Sequence, residues 1–202
     1  MRHALLLLVM AAPPVATLAV QAADVRPVLP PIEDVAVTYK TDGAAAELIP
    51  GMPPGPATLH LSWSASSQQL RAEIEGRPQY VLVNRAGHTA QLVDSGLRSA
   101  INLPLRPKDL DALTLEGEDM TRQGQARYAG LACTNWAVRS SRGAGTVCLT
   151  PSGIPLHASG AVNGKRGSFT AIAVERQTQG LAQFEVPTGY MAFAFPSFGK
   201  TK

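Results

Sequence analysis

The sequence predicts a mainly β fold, a curved antiparallel sheet in one domain, classed α+β because short helical segments are expected beside it. Short alternations of apolar and polar residues recur along the chain at spacings of roughly 8–12 residues. Clusters of Gly, Pro, Ser, Asn and Asp separate them. No strand–helix–strand alternation appears, so a parallel α/β sheet is excluded.

Composition agrees. The 202 residues are 45% apolar and 16% charged, and 18 Gly with 16 Pro are too few for a collagen-like or low-complexity chain. A net charge of +3 is too small for a nucleic-acid footprint.

The chain opens with a short basic start, Met1–His3, followed by an apolar stretch, Ala4–Val20, interrupted by Pro13 and Pro14. Val20-Gln21-Ala22 places small residues at −3 and −1, and the pattern predicts a signal peptide over 1–22, cleaved after Ala22. As a membrane anchor the stretch is short of the roughly 20 residues a spanning helix needs, and it is broken by the Pro pair. No Cys follows the cleavage point to carry a lipid. A periplasmic or secreted protein is expected, with no transmembrane segment after cleavage.

Residues 23–32 are expected to form a Pro-rich arm, since three of the six residues Arg26–Pro31 are Pro and cannot donate to a ladder. A single domain, 33–202, follows. Val35, Val37 and Tyr39 alternate with polar or small residues as a half-buried strand does. Leu59, Leu61 and Trp63, then Leu70, Ala72 and Ile74, repeat the pattern around the turn Ala65–Gln68. Tyr80–Asn84 and Thr89–Val93 extend the meander across Arg85–His88. Between Asp94 and Met120 periodicity is poor, and Lys108–Leu113 after Pro107 is expected as a short helix. Strands are expected again at Gln125–Tyr128, Leu131–Val138, Thr146–Thr150, Leu156–Ala158, Ser168–Arg176, Gln183–Val186 and Tyr190–Phe195.

Cys133 and Cys148 are the only cysteines, and in an oxidising compartment an even count reads as a disulfide. A hairpin turning between Ser140 and Ser141 sets the two thiols directly opposite one another. A redox-active or nucleophilic role would need a Cys-x-x-Cys spacing or a nearby base, and neither is present.

Signals for catalysis are weak. His60, His88 and His157 are far apart in sequence and read as surface residues rather than metal ligands. Ser95 and Ser152 lie in turn sequences without a Gly-x-Ser-x-Gly frame. The carboxylates Asp109, Asp111, Glu116, Glu118 and Asp119 crowd the least regular region and read as a solvated loop. No phosphate-cradling Gly-rich motif occurs, so a non-enzymatic protein without cofactor or metal is expected. The terminal run Met191, Phe193, Phe195 with Phe198 places large apolar side chains on one strand face. Each gains roughly 1.5–3 kcal/mol from burial, in the protein's own core or around a ligand.

The C-terminal half resembles a known family. Ala129-Gly130-Leu131-Ala132-Cys133-Thr134-x-Trp136, Val147-Cys148-Leu149-Thr150-Pro151-x-Gly153-x-Pro155-Leu156, Phe169-Thr170-Ala171 and Phe184-x-Val186-Pro187-x-Gly189-Tyr190 resemble exported bacterial proteins of a domain family without assigned function. That family is similar in layout to the LolA/LolB-like lipoprotein carriers. The resemblance spans roughly residues 33–196 and rests on short, mostly structural motifs. It implies a LolA-like half-barrel around helical segments, with a cavity that takes acyl chains in the carriers. The chain departs from it in lacking a lipobox Cys and evident plugging helices. Independently of function, Gly130 and Gly189 suit positive φ, and Trp136 and Tyr190 suit buried aromatic positions.

The expected function is binding of a lipid, acyl chain or other apolar ligand in the half-barrel, with Leu59, Leu61, Trp63, Leu70, Ile74, Leu82 and Phe193 lining the cavity. On this reading Trp63→Ala weakens binding without unfolding the chain. The alternative is a structural or interaction module that presents an edge strand or the Arg26–Pro31 arm to an envelope protein, and a hydrolase ranks third.

Overall fold

The computed structural model describes residues 26–43, 55–104, 115, 117–140, 143–162 and 164–194. Two antiparallel meanders make up one sheet. The first runs through β1 (Val35–Gly43), β2 (Ala57–Ser64), β3 (Gln69–Ile74), β4 (Gln79–Asn84), β5 (Thr89–Asp94) and β6 (Ser99–Asn102). The second runs through β7 (Asp119–Tyr128), β8 (Leu131–Ser140), β9 (Gly143–Leu149), β10 (Pro155–Val162) and β11 (Lys165–Glu175). β1 pairs with β11 to join them, and β12 (Met191–Ala194) adds to β6 in parallel. The sheet is unclosed, with order β12-β6-β5-β4-β3-β2-β1-β11-β10-β9-β8-β7.

The first meander keeps a ten-residue beat: β3, β4, β5 and β6 begin at Gln69, Gln79, Thr89 and Ser99. In three of its turns the last residue has positive φ, namely Gln68, His88 and Arg98. That beat locates β6, which is too short to show alternation and falls in the stretch read as irregular. β7 is also longer than expected. It begins at Asp119, and its first half is not legible in the sequence because the extra residue Gln123, between the partners of Trp136 and Asn135, shifts the register and breaks the alternation. The expected strand Gln183–Val186 is instead a 3₁₀ turn, Leu181–Phe184, which buries Phe184 and stops before Pro187. It is the only helical element among the described residues, and the expected helix Lys108–Leu113 lies outside them, as do residues 1–22 and Phe195. Gly130 and Gly189 take the positive φ their places required, +76° and +83°.

The ladders fix which side chains share a face. Val37 lies opposite Leu61, Leu61 opposite Ala72 and Ala72 opposite Val81, which defines the Leu61 face. Thr38, Arg71, Tyr80 and Leu82 lie on the other, the Thr38 face. Val35, Val37, Tyr39, Leu59, Trp63 and Ala72 form one buried cluster with Ile154, Leu156 and both cysteines. Trp136, Val138, Val147 and Leu149 form another, covered by Leu29 of the arm together with Leu115 and Met120.

The arm is docked where it is described. Pro31 O accepts a 2.8 Å hydrogen bond from Trp63 Nε1, and Ile32 N donates to Ser152 O at 3.1 Å. Asp34 at the mouth of β1 accepts from Ala65 N at 2.8 Å and from Gln179 N at 2.9 Å, tying the β2–β3 turn and the segment after β11 to one carboxylate. That segment, from Arg176 to Tyr190, crosses the Thr38 face to reach β12. Val186 and Tyr190 cover Tyr80, Leu82, Val93 and Ala100. Arg71 fastens it: the guanidinium lies 3.8 Å from the Tyr80 ring centre, pairs with Glu73 and donates to Gln183 O.

At the other end the sheet curls. Strands β7 and β10 are separated by β8 and β9, which in a flat sheet means roughly 14 Å. Yet the Tyr128 and His157 rings stack 4.8 Å apart at 12°. Cys133 and Cys148 form the expected disulfide beneath this curl and are buried. Their register needs correction. Cys148 lies opposite Asn135, so the bond joins diagonal neighbours with Cα atoms 5.4 Å apart. Right-handed twist brings one diagonal pair together.

Two stability measurements follow. Replacing both cysteines by Ala removes a cross-link between residues 15 apart in sequence and lowers the unfolding free energy by about 3 kcal/mol in denaturant titrations. Trp63 is 2% exposed and hydrogen-bonded, so Trp63→Ala costs about 3–5 kcal/mol, contrary to the expectation that the chain tolerates it. An unchanged denaturation midpoint would place Trp63 outside the core.

Candidate functional site

The site residues expected from sequence divide into three groups. Leu59, Leu61, Trp63, Leu70 and Ile74 do share the Leu61 face, where Leu59 and Trp63 are buried and the other three are half-buried. Leu82 is on the Thr38 face, beneath the crossing segment with Tyr80 and Val93. Phe193 is on the edge strand β12, 49% exposed.

Strand pairing produces an arrangement that no segment shows alone. Phe193 lies opposite Ile101, Ile101 opposite Leu92, Leu92 opposite Val81, Val81 opposite Ala72, Ala72 opposite Leu61, Leu61 opposite Val37 and Val37 opposite Val174. The row is apolar across eight strands. A parallel row runs Ala90, Val83, Leu70, Trp63, Val35. Leu61, Leu70, Leu92, Ile101 and Val174 are half-buried, so the face keeps apolar surface accessible. Among the described residues no helix lies over it, since the 3₁₀ turn sits against Arg71 on the other side.

The polar alternatives gather on the Thr38 face. Gly43, Gly167, Gly160 and Gly145 align across β1, β11, β10 and β9. A Cβ on Gly160 would lie 2.9 Å from Ala144 O, so glycine is what allows these strands to approach. Asp42, Ser168, Ser159 and Thr146 border a shallow channel of about 500 Å³ over this row, and Thr146 and Ser159 bond each other at 3.0 Å. Among the described residues no aromatic side chain lines it, and its charged groups are Asp42 and Arg166.

Both strand histidines have Thr partners. His60 Nδ1 is 3.2 Å from Thr38 Oγ1, and His157 Nδ1 is 3.0 Å from Thr170 Oγ1. Burial under Tyr128 lowers the His157 pKa below its ordinary 6.5, against a smaller opposing hydrogen bond at Phe169. Burial raises the Tyr39 phenol above its ordinary range, and its hydroxyl donates to Pro155 O at 2.7 Å. Asp94 is lowered because it accepts from Leu97 N and Gln79 Nε2. These groups serve the scaffold. Ser95 donates to Pro78 O and Ser152 pairs with Thr150, as turn residues do. Among the described residues no group of three His, Cys, Asp or Glu side chains converges to hold a metal. Asp109, Asp111 and Glu116 lie outside those residues.

No protein-family model matches the chain, and no curated protein does. Solved structures match through the fold. An uncharacterized conserved protein from Thermus thermophilus aligns at a TM-score of 0.55 with 11% identity, over 81% of this chain and 91% of its own. MucB aligns at 0.51 with 16% identity, over 79% of this chain but only 59% of MucB. The Pseudomonas aeruginosa MucA/MucB complex aligns at 0.50 with 17% identity, over 76% of this chain and 56% of that chain. A putative outer membrane lipoprotein-sorting domain from Vibrio parahaemolyticus aligns at 0.40 with 10% identity, over 75% of this chain and 89% of its own, too low a score to equate the folds. The likeness to the first three is one of architecture, a large curved antiparallel sheet.

The His157 environment has a measurable consequence. A pKa held below 6.5 means that the fold favours the neutral ring, so its contribution is present above that pH and lost as pH falls through the folded-state pKa. The denaturation midpoint is expected to drop further between about pH 7.5 and about pH 5 for the parent than for His157→Gln. Parallel curves would show that the ring titrates as in the unfolded chain.

Proposed function

We propose that the chain is an exported, non-enzymatic binding protein of the cell envelope, and that its Leu61 face takes a lipid or acyl chain. The observation that carries the reading is the apolar row from Val174 to Phe193, continuous across eight strands, in which Val37, Ala72 and Val81 are buried while Leu61, Leu92, Ile101 and Val174 are half-buried and Phe193 is exposed. A ligand laid along that row is held by area, at roughly 25 cal/mol per Å² removed from water, and needs no directional partner. The buried disulfide supports an oxidising compartment and agrees with a signal peptide over 1–22.

A second reading has a polypeptide partner in place of the lipid. MucB, part of whose fold this chain shares, has been crystallised with MucA, and the β12 end of the unclosed sheet offers backbone groups to an added strand. Stoichiometry separates the two readings.

The test is native mass spectrometry of residues 23–202 purified from a bacterial periplasm, followed by organic extraction. A lipid-mass adduct that exchanges with added fatty acid and is lost in Leu61→Asn/Leu92→Asn, with the far-ultraviolet circular dichroism retained, supports the lipid reading. A bare protein mass that added fatty acid does not shift overturns it in favour of a polypeptide partner.

A further inference from the structure

The two ends of the sheet are built differently. β7 is ten residues long, carries Arg122 and Arg127, and contains a register shift between Arg122 and Gly124. Charges, bulges and short length are among the devices that keep sheet edges from adding strands. β12 is short but has neither a charge nor a bulge: Met191-Ala192-Phe193-Ala194 is uncharged and keeps an unbroken register with β6. Met191 is 60% exposed and Phe193 49%, and Leu97, in the turn before β6, is 71% exposed.

The outward backbone groups of β12 are identified by its pairing. Met191 N donates to Arg98 O, so residues 191 and 193 turn their N–H and C=O groups toward β6. Bonding residues alternate along a parallel strand, which leaves the N–H and C=O of Ala192 pointing away from the sheet. An antiparallel strand placed there makes a hydrogen-bonded pair at Ala192. If that strand is β12 of a second copy, related by a two-fold axis through Ala192, each Met191 falls opposite the other copy's Phe193 on one face. Thioether and ring are a favourable pair, and small Ala192 at the centre allows close approach.

We propose that β12 is a self-association edge through which two copies of this chain pair antiparallel about Ala192. The second copy is the occupant that fits because the strand is complementary to itself. The protected β7 edge blocks head-to-tail pairing of β12 with β7, so association closes at a dimer. The pairing extends the Leu61 face, since the partner copy's Met191 continues the row that ends at Phe193. A four-residue edge buries less than the roughly 1,200 Å² of a standard stable interface, so the dimer is reversible and concentration-dependent.

The test is sedimentation equilibrium of residues 23–202 over a wide concentration range, with and without Ala192→Pro. Proline at an edge position whose N–H faces solvent removes an outward donor and no bond to β6. The expected result is a monomer–dimer equilibrium in the parent and a dissociation constant at least tenfold weaker in Ala192→Pro, with unchanged thermal unfolding. Phe193→Lys, which places a charge opposite Met191, is expected to do the same without touching the backbone. A parent that stays monomeric at every concentration overturns the proposal, and so does a dimer that both variants leave intact.

Discussion

The pairing of β1 with β11 is the constraint on which the rest of this structure depends. Each meander closes by local turns, but Ala36 and Glu175 meet across most of the chain, and the entropy of that closure is recovered only when the whole ladder forms. Once it is in place the rows of the first meander continue onto β11, and Val174 joins Val37 and Leu61. Asp34 reinforces the same junction by holding both the β2–β3 turn and the backbone of Gln179. The carboxylate sits where three segments distant in sequence must agree, so the arm, the sheet and the crossing segment are positioned from one point.

An unclosed sheet has two faces and two ends to protect, and this one uses a different device for each. On the Thr38 face the chain crosses over Tyr80, Leu82 and Val93 and is fastened by Arg71, whose one guanidinium serves an aromatic face, a carboxylate and a carbonyl. At the far end the sheet curls until Tyr128 reaches His157, and the disulfide is buried under that curl. The glycine row through Gly160 and Gly145 lets the same strands approach closely enough to bend. On the Leu61 face, Leu29 of the arm covers the Trp136 cluster, while the rows from β11 to β12 keep half-accessible apolar surface. The proposed function rests on that difference: the polar side chains described are absorbed by turns and ladders, whereas apolar area is left over.

The individual strands and the identity of the disulfide were legible in the sequence because both are short-range properties. Alternation with a period of two is imposed on each strand by the burial of one side, and a meander adds turns whose residues must tolerate positive φ or a tight bend. The ten-residue beat of Gln69, Gln79, Thr89 and Ser99 was present as well, and would have located β6 where alternation failed. The candidate site was legible in part: Leu61, Leu70 and Ile74 alternate within their own strands and do share a face.

Tertiary structure alone decided the remainder. Which face each alternating set joins depends on register with distant strands, which is why Leu82 and Leu61 end on different faces of the sheet although both alternate equally well. The diagonal placement of Cys133 and Cys148 arises from twist and hairpin register, which their separation of 15 residues does not encode. Leu181–Phe184 forms a 3₁₀ turn because Phe184 is buried and Arg71 takes the Gln183 carbonyl, a contact made with β3 far away in the chain. The sequence by itself determined most of the strands, their turns and the bonded cysteines, since each follows from neighbours a few residues apart, whereas β6, the first half of β7 and the Leu181–Phe184 turn were not legible in its alternation. The apolar row, its two unequal edges and the covering of each face were decided by tertiary structure, because they exist only once strands from both halves of the chain lie side by side.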